Sequence, residues 1–250
     1  MLRASCDFLG RLLTPAPRPG GLGRGIQRRD RVAMRSNRSL LVIAALAALA
    51  AVLPGGARAA DAARGEELFQ LCSQCHGETG AGNSLYLAPS IAGLPEWYLL
   101  GQLKNFKTGV RGMHPEDTGG LRMYPMSQTL KTDEDIQTMA AYVASLPAQP
   151  AAQTLTGGDA TRGAKFYQVC TACHGPDGNG NQAVGSPRIT GQSDWYLLSA
   201  LQKFKGGIRG NYPNAAIMRG MAGTLPDEQA MKDVIAYIQT LSSQTAANAK

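Results

Sequence analysis

Apolar positions in residues 60–250 recur at the three-to-four-residue spacing of helices that bury one face, and no stretch alternates as a half-buried strand would. Helix start signals precede several of these segments, for example Thr132 with Asp135 three residues later. Loops rich in Gly, Asn and Pro separate the segments. The pattern therefore predicts an all-α protein. The predicted helices span 61–72, 95–107, 132–146, 160–170, 193–205 and 227–242.

These helices fall into two sets because the chain contains an internal repeat. At an offset of 98 residues, Trp97–Leu100 matches Trp195–Leu198, and Gly109–Gly112 closely matches Gly207–Gly210. The later part of the repeat pairs at an offset of 95, so the first copy carries three extra residues, within 113–123. A segment rich in Pro and Gly separates the copies. We predict a leader at 1–59, one domain at 60–147, a linker at 148–158 and a second domain at 159–250.

The residues before the repeat have the features of an export signal. Leu40–Leu53 is an unbroken apolar stretch, preceded by Arg35 and Arg38 and followed by small residues up to Ala59. It is shorter than the roughly 20 residues that a membrane-spanning helix needs, although a retained anchor is the alternative. We therefore predict cleavage after Ala59 and a periplasmic location, with the mature protein soluble or loosely associated with the membrane.

The formal net charge of +7 comes from this leader. Residues 1–59 hold 10 of the 25 basic residues but only 2 of the 18 acidic ones, which leaves a net charge of −1 for the rest of the chain. The basic balance is therefore no argument for nucleic-acid binding, and none is predicted.

Each copy of the repeat contains the sequence Cys-x-x-Cys-His, at Cys72–His76 and at Cys170–His174. This is the attachment signature of c-type haem: two thiols bind the vinyl groups and the histidine binds the iron. The sequence thus predicts two covalently bound haem c groups, held by Cys72, Cys75, Cys170 and Cys173. A zinc site made of the four thiolates is an alternative, but it leaves the repeated histidine unexplained. A thioredoxin-like redox pair would need a surrounding βαβ pattern, which is missing from the sequence.

The proximal iron ligands are predicted to be His76 and His174. The chain has one further histidine, His114, so two sites with two histidines each are impossible by count. His114 lies among the extra residues of the first copy, where a solvated loop position is the simplest interpretation. A distal ligand or a redox-linked proton site in the first domain is the alternative.

Methionine is the natural second ligand of such an iron, and each copy carries a Met-x-x-Met pair. We predict Met126 and Met221 as the distal ligands, because each is followed four residues later by a leucine and then by the last helix. The other two methionines, Met123 and Met218, are predicted to fill the core.

Two further residue types repeat around the motifs. Pro89 and Pro187 each lie 13 residues after the ligating histidine, where a rigid carbonyl could accept the second ring N–H. Ordinary loop prolines are the alternative. Trp97 and Trp195 could donate to a haem propionate or simply pack in the core.

With Pro-x-Ile-x-Gly after each haem motif, at 89–93 and 187–191, residues 60–245 resemble the dihaem cytochrome c4 family. The resemblance implies two tandem class I cytochrome c domains, with first and last helices crossing near Gly65 and Tyr142 and near Gly163 and Tyr237. It also implies Met126 and Met221 as distal ligands, Pro89 and Pro187 as acceptors for the histidine rings, and two haems close together across the domain interface.

The predicted function is that of a periplasmic electron carrier, in which both irons cycle between Fe(II) and Fe(III) without binding substrate. Expected partners are a quinol-oxidising complex or a dehydrogenase as donor and a terminal oxidase or reductase as acceptor. The alternatives are the electron-accepting subunit of a periplasmic dehydrogenase complex and a dihaem peroxidase, which would need an iron with an open position.

Overall fold

A computed structural model describes residues 55–150, 153–209 and 212–248 of the chain, with side-chain environments for 61–150, 153–209 and 212–242. The predicted leader lies outside the described residues up to position 54. The predicted cleavage point after Ala59 falls within the first described helix. Within the described ranges no helix has both the length and the apolar character needed to cross a membrane.

The described residues form helices joined by loops, with no β-strand, so the predicted all-α class is confirmed. Two short 3-10 turns, at Ser84–Tyr86 and Gln182–Val184, follow the haem motifs. The helices of the first half are α1 (Gly55–His76), α2 (Glu96–Lys107), α3 (Thr118–Gln128) and α4 (Asp133–Ser145). Those of the second half are α5 (Ala160–Tyr167), α6 (Thr171–His174), α7 (Asp194–Lys205), α8 (Pro213–Gly223) and α9 (Glu228–Asn248).

Helices α3 and α8 lie in segments for which the sequence pattern predicted no helix. Their sequences contain helix-weakening residues, including two glycines near the start of α3 and Pro125 within it. Interactions at the helix starts offset this loss of helix stability: the Asp117 side chain caps α3, and Pro213 occupies the first turn of α8. The second half differs in one more respect, because the helix predicted over 160–170 is interrupted between α5 and α6.

In each half the first and last helices cross at a glycine, as the resemblance implied. A Cβ added at Gly65 would lie 2.5 Å from the Cβ of Tyr142, and one added at Gly163 would lie 3.0 Å from the Cβ of Tyr237. Only a residue without a side chain allows the two helices to approach this closely. The cores behind these crossings contain Phe69, Leu99, Ile136, Met139 and Val143 in the first half and Tyr167, Leu197, Val234, Ile235 and Ile238 in the second.

Candidate functional site

The haem motif of the first half occupies the last turn of α1, and that of the second half ends α6. His76 is the last residue of α1 and is buried, with Cys72 and Cys75 half-buried beside it. His174 is likewise the last residue of α6 and is buried. Helical geometry thus places both thiols and the imidazole of each motif within about one turn, as attachment to a single porphyrin requires.

Each buried histidine is oriented by the proline carbonyl that the sequence spacing indicated. Nδ1 of His76 lies 2.8 Å from the carbonyl oxygen of Pro89, and Nδ1 of His174 lies 2.8 Å from that of Pro187. Because a carbonyl can only accept, Nδ1 carries the proton and Nε2 is left free to bind a metal. Burial lowers the pKa of both histidines, which favours the neutral ring that ligation needs.

The four motif cysteines are not arranged as a zinc site. They are free thiols, and the described residues contain no cluster of three or more His, Cys, Asp or Glu side chains that could hold a metal ion. Burial raises the pKa of Cys72 and of Cys170 to about 11. The described residues therefore provide no cluster of four thiols for a zinc ion.

A cavity of about 1220 Å³, counting its open mouth, lies against His76. Its wall carries Cys72, Pro89 and Met123, and the remainder is largely apolar, including Leu94, Leu99, Phe106 and Val143. A covalently held porphyrin needs an apolar chamber whose wall carries thiols, an imidazole and a soft second ligand, and this wall carries them. The residues present therefore fit a haem.

Helical periodicity decides which methionine of each pair faces inward. On α3 the inward stripe is Gly120, Met123 and Ser127, whereas Met126 is 36% exposed and is not part of the cavity wall. The corresponding stripe of α8 is Ala215, Met218 and Ala222, and Met221 is 37% exposed. Residues three apart on a helix point about 60° apart, so both methionines of a pair cannot face the cavity equally. The structure thus brings Met123, rather than the predicted Met126, to the cavity of His76.

The second half of the chain supplies part of the same wall, including Trp195, Tyr196, Lys203 and Arg209. Trp195 is half-buried and packs edge-on against Tyr196, with ring centroids 5.9 Å apart. Trp97 makes the equivalent contact with Tyr98 at 5.9 Å. The two tryptophans therefore occupy matching positions in the two halves.

Two arginines missed as site residues form a polar network between the halves. Arg111 donates to the hydroxyl of Tyr196 at 3.0 Å, and Arg209 donates to that of Tyr98 at 3.2 Å. Burial opposes ionisation of Tyr196, but the two guanidinium groups outweigh it and lower its pKa to about 7. The sequence signal for these arginines was the repeated Gly-x-Arg-Gly. It helps to define the repeat, but the residues next to each arginine in the sequence do not indicate what it binds.

The same arginines provide a further test of whether haem fits. Each guanidinium lies over a phenylalanine ring of its own half, 4.4 Å from the centroid of Phe106 for Arg111 and 4.6 Å from that of Phe204 for Arg209. The Nε atoms of both are buried and have no hydrogen-bond partner within the described protein. A buried donor without a partner is costly, and both arginines line the cavity. Haem propionates are anionic groups that could satisfy them.

The remaining histidine, His114, is half-buried outside the cavity wall, where its Nδ1 accepts from the backbone N–H of Glu116 at 3.2 Å. The structure thus places His114 in a loop, as expected, but its side chain is half-buried and not fully solvated.

Two haem-attachment sites, each on a separate set of helices, define a c-type cytochrome with two haem-binding domains in tandem. The family model described as Cytochrome c matches residues 62–147 and 160–242. Cytochrome c4 from Azotobacter vinelandii is 35% identical over 192 residues, covering 73% of this chain and 90% of that protein. The crystal structure of reduced recombinant cytochrome c4 from Pseudomonas stutzeri aligns with a TM-score of 0.58 and 32% identity, over 71% of this chain and 97% of that one. The chain belongs to the cytochrome c4 family.

Another relative carries a more specific name. The thiosulfate dehydrogenase electron acceptor of Stutzerimonas stutzeri is 31% identical over 191 residues, covering 68% of this chain and 83% of that protein. The family membership establishes two covalently bound haem c groups and a function in electron transfer between redox proteins, rather than as an enzyme.

Proposed function

We propose that this protein is an exported dihaem electron carrier in which each iron is held between a histidine and a methionine, His76 with Met123 and His174 with Met218. The inward position of Met123 on the wall that also carries His76 is the observation that supports this ligand set. When bound, haem iron supplies reversible one-electron transfer between its ferric and ferrous states. The role of the chain is to hold both axial ligands and to exclude water from the iron.

The first prediction concerns the identity of these ligands. A ferric haem with a methionine ligand has a near-infrared charge-transfer band. Two such haems contribute equally to the intensity of this band, and the contribution of each haem is called its share. We expect Met123→Ala to remove one share and Met218→Ala to remove the other, because alanine offers no donor atom. The measurement is the near-infrared spectrum of the oxidised holoprotein.

The neighbouring methionines provide matched controls. Met126→Ala and Met221→Ala should leave both shares intact, since these side chains lie toward solvent. If Met126→Ala removes a share and Met123→Ala does not, the ligand originally predicted from sequence is correct and the present assignment is wrong.

The supporting roles follow from the hydrogen bonds of the histidines. The carbonyls of Pro89 and Pro187 hold the two imidazole rings in one orientation and one tautomer, which leaves each Nε2 free to hold an iron. Such an acceptor increases the basicity of the ring, which strengthens the bond from histidine to iron. Trp97 and Trp195 act as packing residues at matching positions in the two halves.

We infer a periplasmic location from the leader. The apolar run at 40–53 with small residues up to Ala59 supports export, and c-type haem is compatible with that compartment. Sequencing the N-terminus of protein purified from its source would test this inference. A mature chain beginning at Ala60 is the expected result, whereas a chain that retains residues 40–53 would establish an anchor instead.

For partners, we propose a quinol-oxidising complex or a dehydrogenase as donor and a terminal oxidase or reductase as acceptor. A role as the electron-accepting partner of a dehydrogenase is a second candidate, supported by the relative named as the electron acceptor of thiosulfate dehydrogenase. Purification from native membranes and periplasm distinguishes the two. A free carrier is recovered alone, whereas a complex subunit co-purifies with a larger catalytic chain.

A further inference from the structure

The loop that contains the three extra residues of the first half ends at a buried carboxylate. Asp117 is 3% exposed and is the N-cap residue of α3, where its Oδ1 accepts from the backbone N–H of Gly120 at 3.0 Å. The loop closes tightly around it: a Cβ at Gly112 would lie 2.5 Å from the carbonyl oxygen of Gly120. Asp117 therefore determines where the methionine-bearing helix α3 begins.

The partner of this carboxylate comes from the other half of the molecule. Nζ of Lys203, on α7, lies 2.7 Å from the same Oδ1 of Asp117. Only 23% of the lysine side chain and 5% of the aspartate side chain are exposed. Burial opposes ionisation of the carboxyl group, but Lys203, together with the Gly120 N–H and Arg111, outweighs it and lowers the pKa of Asp117. Both residues also line the cavity against His76.

The equivalent positions of the repeat do not form a second ion pair of this kind. At the offset of 98 residues, the position in the first half that corresponds to Lys203 is Asn105, which has no positive charge. The N-cap residue of α8 is Tyr212, whose side chain makes no capping hydrogen bond. At the start of α8 the first half contributes a hydrogen bond instead of a charge: Oε1 of Gln102 accepts from the hydroxyl of Tyr212 at 3.5 Å. The ion pair is therefore specific to the methionine helix of the first half.

We propose that Lys203 is a positioning residue for the first haem: by pairing with Asp117 across the domain interface it fixes the start of α3 and so keeps Met123 on the iron. This inference rests on the proposed ligand set. It makes methionine ligation in the first half depend on the second half, and it gives the extra loop of the first copy a function.

The physical reason lies in the cost of an unpaired buried charge. Removing one partner of a buried ion pair leaves the other charge desolvated, which is strongly unfavourable. With Lys203 absent, Asp117 would have Arg111 as the other nearby positive charge and would gain by moving toward water. Such a movement displaces the first turn of α3, six residues before Met123. An added ligand could then replace the methionine more easily.

Imidazole binding to the oxidised holoprotein tests the proposal. The near-infrared share of each haem is first assigned with Met123→Ala and Met218→Ala, and imidazole is then titrated while each share is followed. In Lys203→Met we expect the first haem to bind imidazole about fivefold more tightly, the scale expected for loss of a helix cap, with no change at the second haem. Lys232→Met is the control, because it removes the same charge from an ion pair within the second half, Lys232 with Glu228.

A double variant separates a specific effect from general damage. Asn is a good N-cap residue, so Asp117→Asn combined with Lys203→Met keeps a capping oxygen and leaves no unpaired charge. Its imidazole affinity at the first haem should return toward that of the wild type. A non-additive result of this kind is the signature of direct coupling between the two side chains.

The outcomes also separate this proposal from the ligand assignment. If Met123→Ala leaves both shares intact, Met123 is not the ligand and the proposed ligand set fails. If Met123→Ala behaves as expected but Lys203→Met affects both haems, or neither, Lys203 has no specific positioning role. An unchanged first haem in Lys203→Met would therefore overturn this inference alone.

Discussion

Leu87 is a residue whose backbone conformation is unusual for its type. Its φ of +54° places it in the left-handed region, and among the described residues it is the only non-glycine with a positive φ. The matching residue of the second half is Gly185, with a φ of +68°. The first half thus accepts a strained backbone to place a leucine side chain on the wall of the cavity.

This strain gives a prediction for two substitutions at the same position. Leu87→Gly and Leu87→Ala both remove the leucine contacts, but only glycine also relieves the left-handed conformation. We expect the glycine variant to have the higher free energy of unfolding, by about 1 kcal/mol. Urea denaturation of the holoprotein measures the difference. The exposed Leu85 is the control: its φ is not positive, so the alanine variant should be more stable than the glycine variant there. If alanine is also more stable than glycine at position 87, Leu87 is not strained.

Among the helices, the first and last of each half are joined by an ion pair whose position differs between the copies. Arg64 pairs with Asp135 in the first half at 2.9 Å, and Arg162 pairs with Asp233 in the second at 2.7 Å. Asp135 belongs to the capping box at the start of α4, whereas Asp233 lies within α9, almost fully buried. The repeat therefore preserves the arginine but moves its partner along the helix.

The ion pair of Asp233 with Arg162 predicts a pH dependence of stability. Hydrogen bonds from Arg162 lower the pKa of this carboxyl to about 2, below its ordinary value of 3.8. Its contribution is therefore complete above about pH 4 and is lost as the pH falls toward 2. We expect Asp233→Asn to lower the free energy of unfolding by about 2 kcal/mol at neutral pH, and the difference from wild type to shrink as the pH falls through 2.

Denaturant unfolding at several pH values tests this expectation, with Asp135→Asn as the matched control. Asp135 also has its pKa lowered by its arginine, but its pair is closer to solvent, so a smaller effect is expected. Equal losses in the two variants, or a loss for Asp233→Asn that persists at pH 2, would contradict the argument.

For the whole molecule, polar contacts hold the two halves together. Gln192 donates to the carbonyl of Ser90 at 2.8 Å, and Arg188 donates to that of Gly93 at 2.9 Å. With the Arg111 and Arg209 network, these contacts place positive charge from the second half beside the cavity of the first. The second half therefore contributes to the electrostatics of the first haem site.

We predict that Arg209→Gln lowers the reduction potential of the first haem by about 60 mV, a tenfold change in the equilibrium of a one-electron couple. A buried positive charge favours the reduced iron, and its removal favours the oxidised form. A spectroscopic redox titration gives the potential. Arg122→Gln removes the same charge from an exposed position and should change it little, because solvent and salt screen that charge. A shift in Arg122→Gln as large as that in Arg209→Gln would mean that net charge alone is responsible.

Features that depend on residues close together in the sequence were predictable from the sequence. The attachment motifs give the cofactor directly, and the 13-residue spacing correctly indicated the proline carbonyls that contact His76 and His174. The helix bearing Met123 was not predicted, because two glycines and a proline obscure a short inward stripe of small residues. The choice between Met123 and Met126 depends on which side of that helix packs against the rest of the domain.

The sequence by itself determined an all-α chain with two haem-attachment sites in a tandem repeat, because covalent attachment and helical period are local properties. Only the tertiary structure decided which methionine faces the cavity and which residues join the halves. The partners in that interface are 85 to 111 residues apart, from Arg111 and Tyr196 to Arg209 and Tyr98. Their contacts exist only once packing has brought separate helices together, and no local pattern records that packing.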